Sequence, residues 1–356
     1  MGRIAFVALA TVLMAGSGRA EDPLAAAMRR RQEAAKTVRV GFHLKEFVAK
    51  GGVTAVIAAM PGMVSGALPP ADTELESDNV LVLSGPKVRA ENNHPLWNIS
   101  TGKADRNAKV AVSDGRLGGA TYDNAEGGNA TPIGVISRFA YAADINTYTF
   151  EPLLLHYRGV QPGLSRLLRD GLKATGSYSL ADGHNCSVYR AVLSEGYTVE
   201  VWADPQADYV VRRCRHVKQG RVTRQTDIRY TPGGAAGWTP TDWTQSEFAR
   251  DGRVASVATG VVTAVAVNST EADDLFELRF APGVYVFDQR NSQNYRVRDD
   301  GFLQATTADG KDLAAGPVAP PGAGWVVRNR WLLLVSGSVV ATAVVAWWWL
   351  RRRRSV

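Results

Sequence analysis

Five histidines, two cysteines and one run of alternating carboxylates are the residues of this chain whose chemistry goes beyond packing. The histidines are His43, His94, His156, His184 and His216. No two of them have the HxxxH or HExxH spacing that turns two imidazoles toward one zinc ion on a helix. A Cys186–His184 pair would share one face of a strand, as a thiol and its base must. No oxyanion device or third partner accompanies it, and a free cysteine acts mostly as a small buried hydrophobe. There is no GxSxG elbow, no P-loop and no GxGxxG after a strand. Gly118-Gly119 and Gly127-Gly128 are accounted for as turns. Asp72, Glu74, Glu76 and Asp78 alternate along one potential strand face. Paired carboxylates there suit a cation, but a charged, solvated edge strand explains them better. Asn98, Asn129, Asn185 and Asn268 open glycosylation sequons, short matches that arise often by chance. The chemistry points to a non-enzyme with no metal and no cofactor.

The elements that would position these residues are mostly strands. Asp22-Pro23 is an N-cap followed by a favoured first-turn proline. Leu24, Met28 and Ala35 then recur at near-helical spacing beside Arg29, Arg30 and Arg31, which predicts a helix with a solvated basic flank. From Val38 the period becomes two, with Val38, Val40, Phe42 and Leu44 on one face and Arg39, Gly41, His43 and Lys45 on the other. Residues 49–72 and 123–131 are loop by composition. Strands are expected at Val80–Leu83 and Val88–Glu91, with a hairpin around Asp114-Gly115. Glu151–Lys173 is helical in pattern but broken by Pro162-Gly163.

Beyond it the pattern is almost wholly β. Strands are expected at Ser187–Leu193, Thr198–Ala203, Tyr209–His216, Val222–Tyr230, Gly237–Ala249, Arg253–Asn268, Leu275–Phe280, Val284–Asp288 and Tyr295–Arg298. Consecutive antiparallel strands at this spacing make a meander, either an open curved sheet or a partial barrel. Phe42, Trp97, Phe150 and Trp202 are candidates to line the concave face and hold a ligand, with plain core filling as the alternative.

The two ends read differently. Residues 1–20 carry Arg3, an apolar run and the small-residue exit before Ala20 and Glu21, the layout of a secretory signal with cleavage between those two. Trp331–Leu350 has no charge and is long enough for a bilayer, which takes about 20 residues. Trp331 at one end and Trp347, Trp348 and Trp349 at the other suit interfacial belts. Arg351, Arg352, Arg353 and Arg354 then favour the cytoplasmic side. The same pattern also fits a sorting signal that is later cleaved. Eight arginines (3, 19, 328, 330 and 351–354) belong to these ends, so the formal +7 less 8 leaves −1 for residues 21–327. A near-neutral body does not suit nucleic acid. Cys186 and Cys214 fall on strands with a third between them, roughly 10 Å apart at normal strand spacing. A bridge and two buried thiols both remain open.

Certain stretches resemble a known family. They are Met28-Arg29-Arg30-Arg31-Gln32-Glu33 running into Val38–Phe47, Asn92-Asn93-His94-Pro95-Leu96-Trp97, and Val201-Trp202-Ala203-Asp204-Pro205 with Tyr209-Val210-Val211. Phe280-Ala281-Pro282-Gly283, Val286-Phe287-Asp288 and Tyr295-Arg296-Val297 complete them. With the order of helix, long strand, meander, helical insert and second meander, they resemble the outer-membrane lipoprotein-sorting carriers (LolA/LolB-like), in their planctomycete-type membrane-anchored form. The resemblance implies an α+β, mainly β fold: a large curved antiparallel sheet, or half-barrel, with a few helices over its concave face. To that the sequence adds an N-terminal signal helix and a C-terminal transmembrane helix.

The layout expected is a signal peptide over 1–20, the β-rich ectodomain over 21–303, a linker over 304–330, the membrane helix over 331–350 and a basic tail over 351–356. The place expected is the bacterial inner membrane, with the ectodomain periplasmic and the C-terminus cytoplasmic. By resemblance, the function is a non-enzymatic module holding a lipid or lipoprotein acyl chain. The alternatives are an envelope sensor binding a membrane protein partner and, a distant third, a hydrolase. The family's carriers are soluble, and the anchor sets this chain apart from them.

Overall fold

Asp22 starts the first helix as its residue type predicts, accepting hydrogen bonds from the N–H groups of Leu24 at 2.9 Å and Ala25 at 3.4 Å. The structure, a computed structural model, describes residues 22–51, 68–93, 95–98, 102–105, 107–124, 133–137, 147–159, 171–194 and 196–307. Outside them lie the expected signal peptide with Ala20 and Glu21, most of the linker, and the segment from Trp331 through Trp347, Trp348 and Trp349 to Arg351–Arg354. Among the described residues no helix is long and apolar enough to cross a membrane.

Helix α1 (Pro23–Ala34) leads into β1 (Thr37–Val48), β2 (Thr73–Ser84), β3 (Lys87–Asn92), β4 (Leu96–Asn98), β5 (Lys103–Asp105), β6 (Asn107–Ser113), β7 (Gly118–Asn124) and β8 (Ile133–Ile136). Helix α2 (Thr147–Tyr157) follows. After it come β9 (Lys173–Ala181), β10 (His184–Ser194), β11 (Tyr197–Asp204), β12 (Val210–Lys218), β13 (Arg221–Pro232), β14 (Trp238–Phe248) and β15 (Val254–Val267). The chain then runs through β16 (Tyr285–Asp288), β17 (Gln293–Val297) and β18 (Leu303–Thr306).

Sixteen of these strands form one open curved sheet, a half-barrel, in the order β18-β17-β16-β8-β7-β6-β3-β2-β1-β15-β14-β13-β12-β11-β10-β9. The first long strand sits in the middle because both its neighbours are long: β1 pairs antiparallel with β2 and with β15. One meander grows from each side. The C-terminal hairpins return to the far edge, where β16 joins β8 in parallel.

The period-two pattern of β1 works as expected. Val38, Val40, Phe42 and Leu44 are buried on the helix-covered concave face, and Lys45 and His43 face out. On the concave side Trp243 of β14 lies opposite Gly260 of β15, and its ring rests where a side chain would otherwise stand. A Cβ at Gly260 would fall inside the indole's van der Waals shell. Gly260→Val should therefore cost about 1–3 kcal/mol by overpacking, read as a lower urea midpoint with an unchanged slope.

Several expectations need correcting. Arg31 is not solvated. It is 2% exposed and its Nη1 donates to the Asp208 carbonyl at 2.5 Å, because α1 packs against the left-handed corner at Asp208 and Tyr209. Residues 275–280 form no strand. A short 3-10 turn (Asp273–Phe276) occupies their start, and Phe276 and Leu278 are buried with Val82, Val112 and Val286 in a separate cluster. The linker stretch begins with β18, which pairs with β17. Strand β9 gave no periodic signal because nearly all of it is exposed. Helix α2 starts at Thr147, ahead of Glu151, and carries Pro152 inside it. The Pro162-Gly163 break lies outside the described residues.

Candidate functional site

The concave face changes character along the strands. Its centre is apolar: Phe42 meets Phe150 of α2 edge-on at 5.5 Å and Trp243 at 5.0 Å, with Leu81, Leu83, Leu153 and Leu154 around them. Toward β7 the side chains become small. Leu81, Ala90, Ala111 and Ala120 stand opposite one another in register across β2, β3, β6 and β7. The two helices pack together, and α2 packs on β12 and β14. These alanines are 0–2% exposed and belong to the same apolar core as Phe42, Phe150 and Leu153.

Of the four residues predicted to line a cavity, the structure brings two together. Phe42 and Phe150 touch, fully buried, in the core under α2. Trp202 lies elsewhere: Val199, Val201 and Ala203 of β11 face the helices, so Trp202 points to the opposite side, beside Cys186 and Val188 and under Arg215 at 4.9 Å. Trp97 is on β4, in the separate two-stranded sheet with β5. Two hollows stand out on the described surface. One of about 360 Å³ is edged by Arg89 and Leu278, the other of about 630 Å³ by Arg215 and Phe248. Neither is lined by the predicted residues.

The cysteine question is answered by register. Val201 pairs with Cys214 and so shares the helix side, whereas Trp202 pairs with Val188 and shares the other side with Cys186. The thiols point to opposite faces of the sheet, and both are free and buried.

The polar end of the concave face lies under α2. The carboxylate Oε1 of Glu151 is 2.8 Å from His216 Nε2, and His216 Nδ1 is 2.6 Å from the Tyr197 hydroxyl. Cys214 is two residues from His216 on the same face, and one ligand atom from each of Glu151, Cys214 and His216 lies within 4.8 Å of the others. Across the ladder, His216 stands opposite Arg224, whose guanidinium is paired with Glu247 at 3.1 Å. Burial alone would raise the Glu151 carboxyl, but His216 and Arg224 outweigh it and hold it low. Burial, helped by the Glu151 charge, pushes the Cys214 thiol well up.

A thiol so raised is no nucleophile. Both ring nitrogens of His216 are also engaged, so neither serves Cys214 as a base. Cys214-x-His216 repeats the two-residue spacing of His184 and Cys186, but on the helix-covered face of the sheet. Glu151 could not be joined to them from sequence, because it comes from α2, more than sixty residues away.

The remaining polar candidates are paired off. Lys45 bridges Glu74 at 2.7 Å and Glu76 at 3.4 Å, and His43 meets Asp78 at 3.0 Å, so the alternating carboxylates form an exposed cross-strand ion-pair ladder. His184 lies 3.0 Å from buried Asp204, which also pairs with Arg212 at 3.2 Å. Asn268, a sequon residue, ties α1 to the sheet through Ala34 O at 2.8 Å and Lys36 N at 3.0 Å. His94 and Asn129 lie outside the described residues.

No protein-family model and no curated protein sequence matches the chain. Among solved structures it is similar to a DUF1329 family protein from Desulfovibrio piger, at TM-score 0.43 and 10% identity over 72% of this chain and 98% of that one. It is also similar to an outer membrane lipoprotein-sorting protein domain from Vibrio parahaemolyticus (TM-score 0.43, 10% identity, 71% and 94% covered). A third is a LolA superfamily protein from Nitrosomonas europaea (TM-score 0.39, 8% identity, 72% and 99% covered). Likeness at this level gives no residue a role.

Proposed function

We propose that this chain is an exported, membrane-anchored, non-enzymatic binding module that holds the acyl chain of a lipid or lipoprotein on the concave face of its half-barrel. The observation that carries the reading is the in-register row Leu81–Ala90–Ala111–Ala120, small apolar side chains on the concave face that are 0–2% exposed and share one apolar core with Phe42 and Phe150. An acyl chain seated there would take the place of the cover that now keeps the row from water, and its own transfer out of water is worth about 0.8 kcal/mol per methylene buried. In the metal-free protein the buried Glu151–His216–Cys214 group offers no activated thiolate, which supports binding over thiol catalysis. The uncharged stretch Trp331–Leu350 with Arg351–Arg354 supports anchoring in the bacterial inner membrane, with the sheet on the periplasmic side.

Native mass spectrometry and solvent extraction of residues 21–307 test this. Stoichiometric acyl lipid is expected, together with displacement of a fluorescent fatty acid. Ala111→Val should weaken probe binding at least tenfold at a cost of about 1–3 kcal/mol in stability, while the fold, followed by far-ultraviolet circular dichroism, persists. An extract without lipid from a protein that also ignores the probe would end the proposal.

A second reading, an envelope sensor binding a membrane protein partner, draws on β9. This strand ends the sheet, is exposed from Lys173 to Leu180, and presents Tyr178 and Leu180 at 66% exposure each. Such an edge accepts an added strand. Crosslinking through β9 to one dominant membrane protein, with no lipid extracted, would favour it.

A further inference from the structure

We propose that Glu151, Cys214 and His216 form a binding site for a divalent transition metal of the zinc class, which fastens α2 to the concave face of the sheet. The proposal goes beyond lipid binding and stands without it. The donor set is one carboxylate oxygen, one thiolate sulfur and one imidazole nitrogen, a combination that zinc and its neighbours accept and that calcium and magnesium do not. One such atom from each residue already lies within 4.8 Å of the others, and all three residues are buried. In a tetrahedral site, metal bonds of about 2.0–2.3 Å place neighbouring ligand atoms about 3.4 Å apart. The 2.8 Å Glu151–His216 contact need open by only about half an ångström to admit the ion.

The surroundings fit as well. His216 faces Glu151 with Nε2 while Nδ1 lies 2.6 Å from the Tyr197 hydroxyl, so the second nitrogen is held by an outer partner as a ligating imidazole requires. Thr226 stands directly opposite Cys214 on β13 and Gln245 opposite Thr226 on β14, all on the concave face. The Thr226 hydroxyl, Gln245 Nε2 and Glu151 Oε2 are buried with no hydrogen-bond partner among the described residues. Such groups rarely go unpaired in a dry interior, and a metal-bound water at the fourth position would give them one. The charges close: the Glu151 carboxylate and the Cys214 thiolate balance a dication, and Arg224, the nearest cation across the ladder, is offset by Glu247. On binding, the Cys214 S–H bond breaks, its proton leaves to solvent, and the sulfur lone pair forms the metal bond. No oxidant or reductant is needed.

Cobalt(II) tests this on the full chain, purified in detergent, reduced and freed of metal. One cobalt per chain is expected, with the near-ultraviolet thiolate-to-cobalt absorption, which zinc should abolish by displacement. Cys186→Ser should keep that absorption and Cys214→Ser should lose it. Glu151→Gln and His216→Gln should each weaken binding at least 100-fold, and Tyr197→Phe by about 10–100-fold. Zinc should raise the melting temperature of the unaltered protein and not that of Cys214→Ser. The unaltered chain decides even if a variant fails to fold: cobalt bound without a sulfur absorption, or no stoichiometric binding, overturns the site. Absorption that survives Cys214→Ser overturns it equally.

Discussion

Arg158→Met should cost about 3 kcal/mol of folding stability, most of it felt where the two helices meet the sheet. Arg158 is 1% exposed at the end of α2. Its Nη1 donates to the carbonyls of Ala35 at 2.9 Å and Tyr157 at 2.7 Å, and its Nη2 donates to Lys36 O at 2.7 Å. One guanidinium thus satisfies carbonyls at the C-terminal ends of both helices, groups that a helix cannot bond internally. Burial lowers its pKa to about 10, which leaves it charged at neutral pH. Bonds from a charged donor are worth about 1.5–3 kcal/mol each, and a buried carbonyl left unpaired costs about 1–3. Removing the buried charge recovers part of that loss, which is why the net figure stays near 3 rather than three times larger. Beside this contact Gly159 leaves no room for a Cβ, which would approach Met28 Sδ to 2.6 Å. Urea unfolding gives the total, and hydrogen exchange in α1 and α2 should rise ahead of the central strands. Arg158→Lys should recover about half, since a single ammonium reaches fewer of the three carbonyls. Equal midpoints for all three proteins would dismiss the clamp.

This clamp shows what the sequence could and could not reveal. The long strands were readable because one apolar face forces a period of two, as Val38, Val40, Phe42 and Leu44 illustrate. The turn at Gly115 was readable from residue type, and it takes positive φ. Pairing order was only half legible. Adjacent strands follow the chain, but nothing local announces that β1 joins β15 or that β16 meets β8 in parallel. The site was less legible still. Trp202 looked like a lining residue because it is aromatic on a strand, yet a strand has two faces, and Val201 and Ala203 took the inner one. Arg31 looked solvated within a basic run, although its partners are backbone carbonyls at Asp208 and Tyr209, far along the chain. Buried polar groups are chosen by partners that only the fold supplies, so Glu151 with His216 and Arg158 with Ala35 left no local signature.

Acid should weaken the fold by a route through one helix residue. His156 is 1% exposed on α2, its Nε2 lies 2.8 Å from Trp238 O, and burial pushes its pKa down to about 3. The nearby Arg31 adds to the shift, and the Trp238 carbonyl opposes it weakly. The folded form therefore holds the ring neutral, while the unfolded chain takes up a proton near pH 6.5. Between those values the unfolded state binds the extra proton, so stability falls as pH falls, by about 1.36 kcal/mol per pH unit. From pH 7 to pH 4.5 the loss from this residue should reach about 2.5 kcal/mol, and below pH 3 it should level off near 5. Glu151, held low by its partners, would add to the loss only in the carboxylate range, as its own charge is removed. His156→Gln keeps a donor for the Trp238 carbonyl but cannot titrate. Its urea-derived stability should therefore cross that of the unaltered protein on acidification, lower at pH 7 and flatter below pH 6.5. The difference between the two curves isolates the one imidazole from every other titrating group. Parallel curves would mean that His156 carries a similar pKa folded and unfolded, and that α2 sits less tightly on the sheet than its packing against Tyr157 and Tyr230 implies.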